Sequence, residues 1–361
     1  MRDISLPFEG NYNGTFTVAE VNGDLDPDMK DNVITLYNYY SIKEGAKAET
    51  HRPLFEEFTS EGYEGSYIAD TLYRNALAEL GDVIWVKHHD DYQKNVDQFK
   101  FGNEADYEAL YGGYPTFVPA VCFDRRRITG FEEPGPAYFS PYREETTAIL
   151  AQLGETLTFI DLDIQPTVQA ATGKLEVRIK GHAGVNEMPL QNSLRMTTWL
   201  VEDSIPTTTQ KGCPEPQFIQ NGVIRAVLSE EGIWGDPIDI TNYDFERSYT
   251  ADLDPSWNRK HLRVVSFVSN WDENNVRNRS VYNTNQAPVL DLTAIDDLAT
   301  EPLQPRVEVL GSTLATTNGA RIVGVYDMSG REVSATQLSK GVYIVKVTNG
   351  SVTATQKVFI P

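Results

Sequence analysis

The sequence predicts an α+β multidomain chain, in which an α/β domain is followed by a β-sandwich domain and a small C-terminal β-sandwich. Three observations carry this prediction. The length of 361 residues suits two to three domains at about 150 residues each. Residues 52–153 alternate strand-like and helix-like runs, the pattern of a sheet covered by helices. From residue 156 onward, short β-branched runs are separated by Gly, Pro and Asn turns, as in sandwiches.

Residues 1–50 read as an N-terminal β segment whose strand-like runs at 15–21 and 33–40 are expected to complete one of the later sheets. Between these runs, Asn22 to Asp28 is acidic. An EF-hand loop starting at Asp24 would need glycine where Met29 stands and glutamate where Thr35 stands, so the segment reads as a surface turn.

The α/β domain spans 51–153. Leu54-Phe55-Glu56-Glu57-Phe58 is a strand candidate, after which Ile68, Leu72, Tyr73, Ala76, Leu77 and Leu80 share one helical face that stops at Gly81. Residues 83–88 form a continuous apolar run of the kind buried in a sheet covered on both faces. A helix at 104–111, a strand at 120–123 and a helix at 143–153 follow. The sandwich domain spans 154–290, with strands expected at 156–164, 174–180, 194–201, 223–228 and 262–268. Acidic, proline-bearing residues 291–305 read as a linker. Residues 306–361 alternate β-branched runs with glycine turns and form the last domain.

With 31 basic and 52 acidic residues the net charge is −21, which opposes adhesion to nucleic acid or anionic lipid. The charge is uneven: residues 306–361 carry six basic and three acidic side chains, +3, leaving −24 for the rest. No apolar run approaches the roughly 20 residues of a membrane-spanning helix, so no transmembrane segment is expected. Two cysteines, Cys122 and Cys213, make neither a disulfide framework nor a thiolate metal site. Cys122 lies in an apolar run and reads as a buried structural thiol. Gly-x-Ser-x-Gly, His-Glu-x-x-His, P-loop and Gly-x-Gly-x-x-Gly motifs are absent.

His88-His89-Asp90-Asp91 is the candidate metal-ligand run, at the C-terminal end of a predicted strand. Its two histidines converge only if the strand has already ended, because successive strand side chains point to opposite faces. Asp161 with Asp163, and Asp252 with Asp254, are carboxylate pairs that a chain with 52 acidic residues yields by chance. The 18 tyrosines would furnish either a binding face or sandwich cores, and core filling is the expectation.

The strand-to-helix junction reads Phe58-Thr59-Ser60-Glu61-Gly62-Tyr63-Glu64-Gly65-Ser66. It resembles the thioredoxin-like outer membrane protein 28 family of Bacteroidetes, in which a Cys-x-x-Cys opens this helix. Tyr63 and Ser66 occupy the two cysteine positions, so dithiol exchange has no nucleophile and no resolving thiol. Val118-Pro119-Ala120-Val121-Cys122-Phe123-Asp124-Arg125 is similar to the family's cis-proline strand and its terminal polar-Arg pair. Tyr114-Pro115-Thr116 resembles the thioredoxin Pro-Thr step, so both Pro119 and Pro115 are cis-proline candidates, with spacing to Asp124-Arg125 favouring Pro119. Gln220 to Ala226, Trp257-Asn258 and Val264 to Val268 look like second-domain landmarks of the family.

The tail resembles the C-terminal sorting domain of the type IX secretion system. The matching segments run from Val325 through Gly330 to Val333, from Leu338 through Gly341 and Tyr343 to Val347, and from Gln356 and Lys357 to Pro361. The usual entry motif of that domain is replaced by Val307-Glu308-Val309-Leu310-Gly311. The resemblance implies export across both membranes, with the secretion machinery as partner. Residues 1–7 lack the apolar core of a signal peptide, so a trimmed one is expected.

Together these readings predict an exported cell-surface or outer-membrane protein, non-catalytic, with a redox-dead thioredoxin-like domain that binds a surface ligand: protein, peptide or glycan. One alternative is a metal-dependent or other enzyme using a cleft at Tyr63, Ser66, His88 and His89. Another is a scaffold holding an extended peptide across the cis-proline strand. No cofactor is expected, a divalent metal being the alternative.

Overall fold

The computed structural model describes residues 10–18, 20–21, 23–25, 33–41, 48–102, 107–112, 116–131, 135–139, 143–184, 194–275, 278–291, 306–310, 313–317, 320–335, 338–348 and 353–361. These residues are mostly strand, with two helices, Glu64–Leu77 and Arg143–Gly154. Residues 1–292 make one compact unit and 293–361 another.

The first unit is organised by a nine-stranded sheet. Its order is Val281–Pro288, Leu262–Asn270, Leu194–Glu202, Val223–Val227, Ile84–His89, Leu54–Thr59, Ala120–Phe123 and Ala137–Phe139, with Asp236–Pro237 paired alongside Leu194–Glu202. Both helices share a core with one end of this sheet through Phe55, Ala69, Tyr73, Val121, Phe123, Leu150 and Leu153. Against the other end packs a second sheet, Asp244–Ala251, Leu175–Ala183, Ile160–Val168 and Leu290–Asp291. Its inward residues Ile160, Leu162, Leu175, Val177 and Ile179 meet Leu194, Met196, Leu200, Val264 and Val268. The strand Leu175–Ala183 alternates buried and exposed along its whole length, as a sheet with one wet face requires.

The junction expected between residues 153 and 154 is spanned by this continuous sheet. The link is parallel pairing of Val223 with Lys87, whose backbone N–H donates to the Gly222 carbonyl at 2.6 Å. Gly222 has φ +74°, and a β-carbon there would stand 3.1 Å from the Trp85 carbonyl oxygen. Gly222→Ala is therefore expected to lose about 1–3 kcal/mol of stability, from left-handed backbone strain and the close approach. A urea-midpoint comparison checks this; an unchanged midpoint would show that the junction yields freely.

Four expectations are corrected. The N-terminal strands do not complete a larger sheet: Gly10–Thr17 pairs antiparallel with Val33–Ser41 in a two-stranded sheet of their own. The first helix buries Ser66, Ala69, Asp70, Tyr73 and Ala76, while Ile68 is exposed; two alanines permit close approach to the sheet, and Asp70 is drawn inward by a buried lysine. That helix stops at Leu77, short of Gly81. Of the expected helix at 104–111, Glu108–Tyr111 is a 3₁₀ turn, and 103–106 lie outside the described residues. Most of the acidic turn after Asp24 lies outside them as well.

In the second unit the hairpin Arg306–Leu310 with Thr313–Thr317 and the three-stranded sheet Arg321–Asp327, Gly341–Thr348 and Thr353–Ile360 share one core. Val307, Val325, Val345, Val347, Val358 and Ile360 fill it.

Candidate functional site

The strand Leu54–Thr59 delivers residues 60–63 to the start of the first helix, with Tyr63 as its N-cap. This corner is closed by side chains. The Ser66 hydroxyl accepts from the Ser60 N–H at 3.1 Å, and the Ser60 hydroxyl from the Gly62 N–H at 3.2 Å. The Tyr63 ring stacks on Tyr92, centroids 4.3 Å apart. Over the corner lies a segment from the sandwich half: Thr207 and Thr209 hydroxyls donate to the Glu61 carboxylate at 2.6 and 2.8 Å, and the Lys211 N–H donates to the Glu61 carbonyl at 2.8 Å. Tyr63 and Ser66 thus serve packing and hydrogen bonding. Cys122 is fully buried in the strand Ala120–Phe123, where burial pushes its thiol well above the usual range, and Cys213 is also a free thiol.

The Val118–Pro119 peptide is cis, as is Gly135–Pro136; Pro115 lies outside the described residues. The strand after Pro119 ends in Asp124 and Arg125, both left-handed at φ 48° and 50°. Asp124 accepts from the Leu54 N–H at 2.7 Å. Arg125, 1% exposed, forks onto Glu56 at 2.9 and 2.8 Å and lies 4.9 Å from the Phe267 ring centroid.

Glu56 and Glu57 are adjacent in one strand and both fully buried, on opposite faces. Burial raises the Glu56 carboxyl, but the Arg125 charge and hydrogen bonds, with help from His88, outweigh it and hold Glu56 down to about 2. Burial pushes Glu57 up to about 7; Lys87 opposes this and Asp70 adds to it. The Trp85 indole donates to one Glu57 oxygen at 3.1 Å. Lys87 is itself buried, pairing with Asp70 and donating to Gln220 at 3.0 Å.

The strand Ile84–His89 runs through both histidines, so the condition for their convergence fails and the candidate run of four does not gather into one cluster. His88 meets Glu56 through Nε2 at 3.1 Å and the Tyr107 hydroxyl through Nδ1 at 3.0 Å. His89 meets Asp97 through Nδ1 at 3.0 Å. Asp90 and Asp91 share Lys100, at 2.7 and 3.0 Å. Among the described residues no group of three or more His, Cys, Asp or Glu is placed to hold a metal ion.

Beyond the strand end opens a cleft of about 580 Å³. Phe58, Phe101, Tyr107, Tyr111 and Phe117 form apolar walls, His88 and Val118 also line it, and Asp90, Asp91 and Lys100 stand among its more exposed lining residues. Tyr63, Ser66 and Pro119 do not line it, so the common cleft of Tyr63, Ser66, His88 and His89 that the enzyme alternative requires divides into a filled corner and an open pocket lined by both histidines. Sequence reasoning passed over Glu56, Glu57, Lys87, Asp97 and Tyr107. The available signal was charge inside apolar strands, Glu56-Glu57 and Lys87.

Asp161 and Asp163 stand beside His182 and Lys180 on the neighbouring strand. Asp252 pairs with Lys174 and Asp254 with Ser256, so neither carboxylate pair stands apart as a unit. In the second unit Gly330 has φ +84° in the turn capped by Asp327, Gly341 opens a strand, Tyr343 is buried with its hydroxyl donating to the Ser339 carbonyl at 2.9 Å, and Lys357 is exposed.

Residues 142–287 match the model of the family described as outer membrane protein Omp28. This bears out the family resemblance over that span, and a family of outer membrane proteins agrees with the exported location expected from the sequence. No curated protein matches in sequence. Among solved structures, HBP35 of Porphyromonas gingivalis is 17% identical with a TM-score of 0.54, covering 87% of this chain and 100% of its own; the two share a fold. A protein from Agrobacterium tumefaciens is 12% identical over 66% of this chain and 94% of its own, TM-score 0.41. A domain of the outer membrane lipoprotein Omp28 from Porphyromonas gingivalis is 17% identical over 37% of this chain and 90% of its own, TM-score 0.25.

Proposed function

We propose that this chain is an exported, outer-membrane-associated binding protein. Its thioredoxin-like half is redox-dead and holds an extended peptide in the cleft beside Val118–Pro119, and residues 306–361 address it to the type IX secretion machinery. The observation that carries the reading is the pairing of a closed corner with an open cleft. Tyr63 and Ser66 are committed to packing and hydrogen bonds where a dithiol would react, while the neighbouring 580 Å³ space is lined by aromatic rings. An extended chain passing the cis-proline would lay its side chains into this cleft, where the aromatic walls select among sequences.

The test has two arms. Dithiol-dependent insulin reduction is expected to match the protein-free blank, and a peptide array is expected to reveal a sequence preference. Turnover above the blank, or uniform array signals, would remove the reading. For the address, cells producing the chain without residues 306–361 are expected to retain it in the periplasm; unchanged surface delivery would refute that part.

A further inference from the structure

The cleft beside Val118 carries charge information as well as shape. Phe58, Tyr92, Phe101, Tyr107, Tyr111 and Phe117 all line it, and ring faces are electron-rich surfaces that attract cations. The polar lining includes two carboxylates and one ammonium: Lys100 Nζ lies 2.7 Å from Asp90 and 3.0 Å from Asp91. That trio is one negative charge in excess.

Hydrogen-bond direction points the same way. Glu56, ionised by its fork from Arg125, accepts from His88 Nε2. A His88 ring kept neutral by burial then has a bare Nδ1, which accepts the Tyr107 hydroxyl proton. The Tyr107 hydroxyl proton is thus spent on His88, and the pair turns no donor toward the cleft.

We propose that this cleft takes a cationic side chain, specifically an arginine of the bound peptide, which displaces Lys100 from Asp90 and Asp91. The inference rests on the peptide-binding reading above. Lys100 and both aspartates are about one-third exposed, and exposed ion pairs are weakly held. An arginine entering from a peptide trades one such pair for a planar guanidinium, which stacks on tyrosine and phenylalanine faces and forks onto a carboxylate as an ammonium cannot. Lys100 acts as a tethered competitor for the place.

Titration calorimetry on the full chain tests this with a short acetylated, alanine-rich peptide bearing a central arginine, and with the same peptide bearing citrulline, its uncharged isostere. The arginine peptide is expected to bind about ten-fold more tightly, a difference that shrinks as salt screens it. Lys100→Gln is expected to tighten arginine binding by roughly three-fold and Asp91→Asn to weaken it by a similar factor. Equal binding of the two peptides would overturn the charge selection while leaving peptide binding standing. Weaker binding by Lys100→Gln would overturn it in favour of an anionic ligand held by that lysine. Binding of neither peptide would remove both readings.

Discussion

Arg125→Ala is expected to cost roughly 3–5 kcal/mol, because removing one member of a buried ion pair strands the other in a medium that cannot solvate it. Glu56 is fully buried and holds both carboxylate oxygens against the Arg125 fork. The guanidinium also lies within 6 Å of the Trp199, Trp234 and Phe267 rings, so alanine leaves a void as well as a charge. Urea denaturation measures the loss. The double variant Glu56→Gln with Arg125→Met is expected to recover at least half of it, since no stranded charge remains. The single variant also predicts a changed acid limb. Glu56 is held below its ordinary value, so its contribution is fully present above about pH 4.5 and is lost as pH falls through about 2, roughly 3 kcal/mol in all. Without Arg125 that acid-dependent loss should vanish. A midpoint unchanged by Arg125→Ala would show that the pair contributes nothing to stability.

Glu57→Gln is expected to stabilise the protein at pH 8 by roughly 2–3 kcal/mol and to leave it unchanged near pH 4.5. Burial raises the folded-state value of Glu57 to about 7. Its contribution is therefore complete below its ordinary value near 4.5 and is lost as pH rises through 7, the opposite sense to Glu56. One of its oxygens has no hydrogen-bond partner and the other accepts from Trp85, so an uncharged amide whose oxygen keeps the Trp85 bond avoids the penalty of ionisation. Unfolding by urea at several pH values between 5 and 8 separates the two chains. Parallel stability curves, or a variant weaker at pH 8, would show that Lys87 already compensates the carboxylate.

Elements whose apolar residues are concentrated in a short stretch were legible: Leu54–Thr59, Ile84–His89, Ala120–Phe123, Leu194–Glu202, Leu262–Asn270 and the helix Arg143–Gly154. Such runs can be buried only as strands covered on both faces or as helices against a sheet. Asp244–Ala251 was not legible, because its polar residues suit a strand only once Leu175–Ala183 lies beside it in register. The partnership of Gly10–Thr17 with Val33–Ser41, and the parallel link between residues 223 and 87, are likewise contacts between distant segments. Local pattern states that a strand exists and leaves its neighbour open.

The site divides along the same line. From sequence alone it was settled that Tyr63 and Ser66 carry no thiol and that carboxylates lie inside a largely apolar run. Which of those carboxylates stays ionised was decided by tertiary structure. Glu56 and Glu57 are the same residue type, one position apart, and the pleat sends them to opposite faces. On one face Arg125, 69 residues away, supplies a fork; on the other Trp85 and Lys87 supply weaker compensation. Likewise the corner at Tyr63 is closed by Thr207 and Thr209, more than 140 residues distant. Residue identity sets which protons and donors exist, whereas burial and long-range partners set their energies, and those arise only when the chain has folded.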